Sequence, residues 1–411
     1  MQNNNLNDKP YPTLEAKQVR LEYLDGLRGL AALYVVCYHI SILNMGLTNS
    51  GKKLSPLFYH IEHILHFYIF NYGTDAVAIF IVLSGYLLML PVARHPEMKL
   101  KGGVSGFIIR RARRILPPYY AALFISLVTI KLLRNENIFH VIAIPLSLTN
   151  DSIITHLFLI HNLTKWIFTI DGPMWSVGVE WQIYFLFALI LLPIFRRFGP
   201  LVLVIITSLI FILPAYTFLP ILLQSHPWFI LLFIFGMTGS CINFSKQGRY
   251  VTLHKSKIWN NLYLIFLILT IIIIIIQDKY GISFGGSAFQ EISTGLCILC
   301  FIIKSTKQLL SDDIKHSFII RILQIRTMEI LGVFSYSLYL VHDIVISFLA
   351  YMFSHSIMNS NIIYIVYPIS SFALSLILAY GFHLAFEKKF LPSKLHAPTD
   401  TKSNSVNITL K

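Results

Sequence analysis

The sequence contains few charged residues. Asp, Glu, Lys and Arg make up 13% of its 411 residues, whereas soluble proteins contain about a quarter. Hydrophobic residues make up 55%, more than a soluble domain of this length can bury. Four stretches have no charged residue and can each hold one or two membrane spans of about 20 residues; they are residues 29–51, 198–245, 258–277 and 344–386. The composition therefore excludes a soluble globular protein and predicts an all-α, polytopic membrane protein.

Cysteine is also scarce, and the four cysteines all lie inside apolar stretches. Cys297 and Cys300 form a CxxC motif, but no second pair follows at the spacing of a zinc site. A buried cysteine behaves as a small hydrophobic residue, so packing is favoured over a metal or redox site. No metal is expected.

Ten apolar segments predict about ten transmembrane helices. They lie near residues 27–46, 75–93, 115–133, 175–195, 198–219, 221–243, 258–277, 284–303, 328–352 and 362–386, and Glu291 interrupts the eighth. If the N-terminus is inside, 27 Lys and Arg residues lie on the cytoplasmic side and six on the other. This asymmetry predicts cytoplasmic termini, and it explains the pI near 9.5 without a nucleic acid partner.

The predicted organisation is a cytoplasmic tail (1–24), a ten-helix membrane domain (25–390) and a second cytoplasmic tail (391–411). The first tail is polar and charged, so it is no cleavable signal and the first span is expected to be retained. Most residues outside the membrane belong to two outer loops, 46–74 and 134–174. Within the second, the apolar segment 140–163 is interrupted by Pro145, Asn150 and Asp151, which predicts interfacial or re-entrant structure rather than a span.

Arg28 and His39 lie on the first predicted helix, eleven residues or about 16 Å apart along its axis. Arg28 is placed to bind an anionic donor near the cytoplasmic surface. An imidazole is a natural general base toward a hydroxyl, because its ordinary pKa is close to neutrality. A purely structural role, with Arg28 as an anchor and His39 bonded to a neighbouring helix, explains the two residues equally well.

The fourth predicted helix carries a polar face. Ser176, which follows Trp175 directly, is spaced at intervals of four residues with Glu180 and Tyr184, so these three share one side of the helix. Glu180 is predicted at a depth similar to that of His39. A buried carboxylate is costly, which favours a role in orienting the imidazole or binding an acceptor hydroxyl over a structural pairing.

Four arginines, Arg110, Arg111, Arg113 and Arg114, fall within five residues at the predicted cytoplasmic face. The guanidinium group pairs with two phosphate oxygens at once, which suits a phosphate-bearing ligand. An anchor on lipid headgroups explains the cluster at least as well. Pro117 and Pro118, which follow, are predicted to set the start of the third helix.

The ninth predicted helix has a second polar face, formed by Ser335, Tyr339 and His342. A proton path or a packing contact fits this face as readily as catalysis does. His383, near the end of the last span, is favoured as a structural histidine.

Five segments together resemble the acyltransferase 3 family of membrane acyltransferases, over about residues 21–390. These segments are 23–32 with His39, 79–87, 111–120, 175–184 and 334–342. Members attach acetyl or other small acyl groups to glycans, lipids and antibiotics, and include bacterial O-antigen O-acetyltransferases. The resemblance implies an O-acyltransferase of the bacterial inner membrane. Acyl-CoA, foremost acetyl-CoA, would be the donor, and a glycan or lipid-linked saccharide the acceptor.

The resemblance also implies roles for single residues. His39 is expected to be catalytic together with Glu180, and the donor phosphates are expected near Arg28, Arg111 and Arg114, with Arg110 beside them. Residues expected to bind substrate or support the site are Asp25, Asp75, Trp175, Ser176, Tyr184, Ser335, Tyr339 and His342. One motif is partial. Family members often have a proline two residues after the glutamate that ends the last span, whereas here Glu387 is followed by Lys388 and Lys389.

Two other functions are consistent with the residues themselves. A transporter or flippase also carries intramembrane His, Glu and Arg along its substrate path, although no inverted repeat is visible in the sequence. A non-catalytic scaffold or receptor of the same fold is the third possibility.

Overall fold

The structure is a computed structural model that describes residues 21–49, 55–133, 148–280, 288–311 and 317–390. Across these ranges the chain forms α-helices joined by short π-helical and 3₁₀ turns, with no β-strand. The all-α prediction is confirmed. Most of the predicted tail 1–24 and all of the tail 391–411 lie outside the described residues, as do Pro145 and its neighbours in the second outer loop.

Sixteen α-helices follow one another along the described ranges. The first eight are α1 (Glu22–Asn49), α2 (Pro56–Ile64), α3 (Gly73–Arg94), α4 (Gly103–Leu133), α5 (Asn150–Leu157), α6 (Met174–Leu186), α7 (Leu192–Phe198) and α8 (Pro200–Thr207). The others are α9 (Leu213–Thr217), α10 (Phe229–Phe244), α11 (Gly248–Lys255), α12 (Ile258–Tyr280), α13 (Ala288–Leu310), α14 (Phe318–Leu323), α15 (Arg326–Ser354) and α16 (Ser360–Phe382). The π-helical turn Phe187–Leu191 joins α6 to α7, and Ser208–Ile212 joins α8 to α9.

Within the described ranges, nine continuous helical segments are long and apolar enough to cross a membrane. The pair α10 and α11, bent by 88° at its junction, makes ten if it counts as one span. These segments overlap the ten predicted ones in order, so the prediction of about ten spans is confirmed. The side of the membrane that each end faces stays a prediction.

The prediction that Pro117 and Pro118 set the start of the third span is wrong. Helix α4 begins at Gly103 and continues through both prolines, so the arginine cluster is itself helical. A proline removes the hydrogen bond to the carbonyl four residues earlier, here those of Arg113 and Arg114. These carbonyls lie in the half of the helix that carries the arginine cluster, and membrane helices tolerate proline where other groups replace the lost bonds.

The sixth span begins later than predicted, at Phe229 instead of 221. Pro220–Ser225 forms a 3₁₀ turn, and the next residue, His226, has a positive φ of 49°. His226 precedes Pro227, and a residue before proline is disfavoured in the α conformation. The two prolines therefore stop helix formation and leave His226 at an irregular point of the backbone.

Helix α3 lies at the centre of the bundle and α12 at its edge, since 72% of the apolar window of α3 is buried against 6% for α12. Close approach of α3 to α10 depends on Gly85 and Gly236. A Cβ atom at either position would overlap a carbonyl oxygen of the other helix. Such contacts between small residues are how membrane helices pack without a hydrophobic driving force.

The same type of contact joins α1 to α15. A Cβ at Gly332 would overlap the Asp25 carbonyl, and one at Gly29 would come within 2.8 Å of the Gly332 nitrogen. Ten residues beyond this contact on each helix stand His39 and His342, whose ring centroids are 5.0 Å apart. The helices therefore run parallel, and the glycine contact sets the register in which the two histidines meet.

We predict that G332A destabilises the protein by about 1–3 kcal/mol, as overpacking of a tight contact does. The added methyl group must displace the backbone of α1, because no flexible side chain occupies that space. Gly381 is the matched control, since a Cβ there meets no atom within 4 Å. Thermal unfolding in detergent should show a lower Tm for G332A and little change for G381A; equal Tm values would contradict the packing described.

Candidate active site

Two adjoining cavities lie inside the bundle. The first, here named the arginine cavity, has a volume of about 110 Å³ and is lined by Arg28, Arg111, Arg114 and Glu180. The second, the histidine cavity, has a volume of about 290 Å³ and is lined by His39, His226 and Asp343 among others. Val77 and Tyr339 line both cavities and so form a common wall.

Three cationic side chains from two helices line the arginine cavity. Arg28 comes from α1, and Arg111 and Arg114 lie one turn apart on the same face of α4. Arg28 pairs with Asp25 at 3.4 Å. The buried Nε atom of Arg111 has no hydrogen-bond partner among the described residues. An anionic ligand bound beside Arg111 would supply a partner for this guanidinium group.

Glu180 lies in the arginine cavity. Its carboxylate accepts hydrogen bonds from Ser84 Oγ at 3.0 Å and Tyr184 Oη at 2.5 Å. It also interacts electrostatically with Arg28 and Arg111. The hydrogen bonds of His39, described below, go to other residues, so the geometry associates Glu180 with the arginines rather than with the imidazole.

Arg110 and Asp75, two of the predicted site residues, line neither cavity. Arg110 is exposed, and its Nη2 donates to the Lys101 carbonyl at 2.6 Å instead of lining the arginine cavity. Asp75 is buried between α3 and α13, where it accepts hydrogen bonds from Thr294 Oγ1 at 2.6 Å and from the Gln290 side chain. Its bonds therefore tie two helices together.

His39 has a hydrogen-bond pattern that fixes its tautomer. Its Nδ1 lies 2.9 Å from the Val35 carbonyl and 3.3 Å from His342 Nε2. A carbonyl only accepts, so Nδ1 of neutral His39 carries the proton and Nε2 has the free lone pair. His342 follows the same rule: its Nδ1 lies 3.1 Å from the Leu338 carbonyl, which leaves its Nε2 to accept from His39. His39 is thus arranged as a base.

An acidic residue that the sequence reasoning missed accompanies His39. Asp343 lines the same cavity, interacts electrostatically with His39 and is contacted by the Gly172 backbone amide. Asp171, just before α6, lies close to it and accepts from Ser126 Oγ at 2.9 Å. Burial, and then Asp343, raise the pKa of Asp171 well above its ordinary value. A carboxylate within a predicted span was the available signal for Asp343.

The common wall is held by hydrogen bonds between α6 and α15. Tyr339 Oη donates to the Pro173 carbonyl at 3.1 Å, and Ser176 Oγ lies 2.6 Å from the same Tyr339 oxygen. Ser335 lines the arginine cavity and donates to the Gly332 carbonyl at 2.9 Å. Trp175, next to Ser176, faces the histidine cavity.

A second imidazole lines the histidine cavity, and the sequence reasoning missed it too. His226 Nδ1 lies 2.9 Å from Glu291 Oε2, which also accepts from Trp228 Nε1 at 2.6 Å. The His226 ring stacks on Trp175 with centroids 4.6 Å apart. Glu291 interrupts a predicted span, but no sequence pattern pairs it with a histidine 65 residues away.

The segment that leads to α6 packs on that helix without being a span, as predicted for this part of the outer loop. Gln182 Nε2 donates to the Leu159 carbonyl at 3.0 Å and to Asn162 Oδ1 at 2.8 Å. Beneath this contact the buried rings of His156 and His161 stack with centroids 3.9 Å apart. Burial lowers the pKa of His156 to about 4; burial and His156 lower that of His161 to about 3.

Within the described ranges, no three His, Cys, Asp or Glu residues are grouped as metal ligands. All four cysteines are free thiols. At the basic end of the bundle, His383 bonds Glu387 at 2.8 Å, which in turn accepts from Ser337 at 2.5 Å. These contacts agree with a structural histidine.

The chain is similar to a known protein family. A family model described as an acyltransferase domain matches residues 21–383, nearly the whole chain. No curated protein and no solved structure matches. The matched region includes every residue of both cavities.

We predict that the stacked pair His156 and His161 makes the folded protein less stable in acid. Both folded-state pKa values lie below the ordinary value of 6.5, so the unfolded chain binds more protons as the pH falls below that value. The two neutral histidines therefore make their full contribution to folding stability above about pH 6.5, and this contribution is lost as the pH falls toward about 4. H161F, which keeps the stack but removes one titrating ring, should lose less Tm between about pH 7 and about pH 5 than the parent protein does.

The matched control for this measurement is H355F, which removes an exposed histidine at the end of α15. Its Tm should fall with acidification as steeply as that of the parent protein. A parent Tm that does not change over this range would contradict the prediction.

Proposed function

The chain belongs to the acyltransferase 3 family of membrane acyltransferases, and from this premise we propose that it transfers an acyl group, foremost acetyl, from cytoplasmic acyl-CoA to a hydroxyl of a glycan or lipid-linked saccharide. The observation that carries the proposal is the division of charge between the adjoining cavities. One is lined by three arginines, whereas the described lining of the other contains neither Lys nor Arg. The bacterial inner membrane is the proposed location.

The donor binds at the arginine cavity. Acyl-CoA carries several phosphate charges, and guanidinium groups pair bidentately with phosphate oxygens. Arg28, Arg111 and Arg114 are the residues we assign to these phosphates, and the unpaired Nε of Arg111 supports the assignment. Glu180 keeps Arg28 and Arg111 in place through its negative charge. The thioester reaches toward the common wall at Val77 and Tyr339.

The acceptor binds in the histidine cavity, where His39 is the general base. Its Nε2 takes the proton of the acceptor hydroxyl while the oxygen attacks the thioester carbonyl carbon. The carbon–sulfur bond then breaks and the proton passes from His39 to the departing sulfur, so that CoA leaves as a thiol. His39 returns to its neutral form, and no proton or electron is left over.

Three residues prepare His39 for this step. The Val35 carbonyl and His342 Nε2 share the hydrogen bond from the single Nδ1–H of His39, which keeps the lone pair on Nε2. Asp343 stabilises the imidazolium that forms when His39 takes the proton, because an opposite charge nearby favours the charged form. Tyr339 and Ser176 hold the wall between donor and acceptor.

We predict that R111A weakens binding of acetyl-CoA by about tenfold or more, since a charge-assisted hydrogen bond contributes roughly 1.5–3 kcal/mol. R110A is the matched control: it removes the same side chain from the neighbouring position, which does not line the cavity. Binding of acetyl-CoA to purified protein should separate the two variants. Equal weakening by both would remove the assignment of Arg111.

We expect H39A to abolish acyl transfer while expression and acetyl-CoA binding are retained. The assay is transfer of radiolabelled acetyl from acetyl-CoA in membranes that contain the acceptor, and H355A, an exposed histidine, is the control. Full activity of H39A would refute the central assignment. Uptake or flipping of a substrate by the parent protein without acyl-CoA consumption would decide for a transporter instead.

A further inference from the structure

The pair His226 and Glu291 lowers the free energy of unfolding of the protein. Glu291 is fully buried, and its Oε1 has no hydrogen-bond partner among the described residues. His226 adopts a positive φ of 49°, which is uncommon for a residue other than glycine. Backbone strain and incompletely paired buried carboxylates both destabilise a fold, and they concentrate at sites where function retains them.

The pair also has a defined chemical orientation. A carboxylate only accepts, so the Nδ1 of neutral His226 donates to Glu291 and the lone pair lies on Nε2. No hydrogen bond to a described residue occupies Nε2. The stack on Trp175 fixes the plane of the ring, and both residues line the histidine cavity. The cavity thus contains two oriented imidazoles, each with an acceptor nitrogen.

We propose that His226, held by Glu291, is a second hydroxyl-binding residue of the histidine cavity, and that this cavity takes a neutral acceptor with at least two hydroxyls. The inference rests on the proposed function, in which His39 deprotonates the hydroxyl that is acylated. His226 accepts a hydrogen bond from another hydroxyl of the same molecule and so orients the attacking one.

The charge of the cavity supports this class of ligand. Its described lining contains Asp343 and no Lys or Arg, so a phosphate or carboxylate would meet no fixed positive charge. Thr74 and Ser347 add two further polar side chains to the lining. A polyol such as a saccharide ring matches these groups, whereas a simple monohydric alcohol would leave His226 without a partner.

The test compares three variants in membranes that contain the natural acceptor, with radiolabelled acetyl-CoA as the probe. H226G removes the ring while glycine accepts the positive φ. H226G/E291Q also removes the buried charge that H226G leaves unpaired. W228F is the matched control, because it removes the other hydrogen bond to Glu291 without altering a residue that lines the cavity.

We expect both His226 variants to lower the maximal transfer rate about tenfold or more, the equivalent of one hydrogen bond of about 1.4 kcal/mol. Their apparent KM for acetyl-CoA and their acetyl-CoA binding should stay as in the parent protein, and W228F should transfer normally. H226N, whose amide both donates and accepts, should recover part of the rate.

Three results would overturn the inference: transfer by both His226 variants within twofold of the parent rate, a parallel loss of acetyl-CoA binding, or an equal loss in W228F. The last two would assign a structural role to the pair. Absence of transfer by the parent protein itself would instead refute the proposed function, so the two failures can be told apart.

Discussion

The contact between α1 and α15 at Gly29 and Gly332 is the constraint on which the candidate site depends. Two parallel helices that touch at these glycines bring the residues ten positions further along each chain to the same level. His39 and His342 occupy those positions. A helix is rigid over this distance of about 15 Å. The glycine contact therefore fixes the relative position of the two histidines without touching them.

The bundle separates its polar groups into compartments. Cations gather in the arginine cavity, while imidazoles and a carboxylate gather in the histidine cavity. In a membrane each isolated charge would cost several kcal/mol, so the groups persist because they pair with one another or face a cavity. The wall at Val77 and Tyr339 is thin enough for both cavities to share these residues.

One irregular stretch of backbone lies beside the histidine cavity. Pro220 and Pro227 shorten the sixth span and place His226 between a 3₁₀ turn and α10. Membrane proteins tolerate non-helical backbone where it lines a cavity. The fold therefore presents His226 from a segment that does not cross the membrane as a regular helix.

From the sequence we predict the fold class, the number and order of the spans, and the candidate residues His39, Arg28, Arg111 and Arg114. Long apolar runs have few alternatives in a bilayer, and a charge inside them is conspicuous. The predicted starts of α4 and α10 are wrong, because α4 continues through its two prolines, whereas Pro220 and Pro227 end regular helix before α10.

Which polar residues meet is seen only once the helices are packed together. Glu180 joined the arginines instead of His39, Asp343 joined His39, and Glu291 joined a histidine 65 residues away. Depth along a helix can be read from residue spacing, but the direction a side chain faces depends on how each helix is rotated against its neighbours. That rotation is set by contacts between small residues distant in the chain, which a single sequence does not reveal.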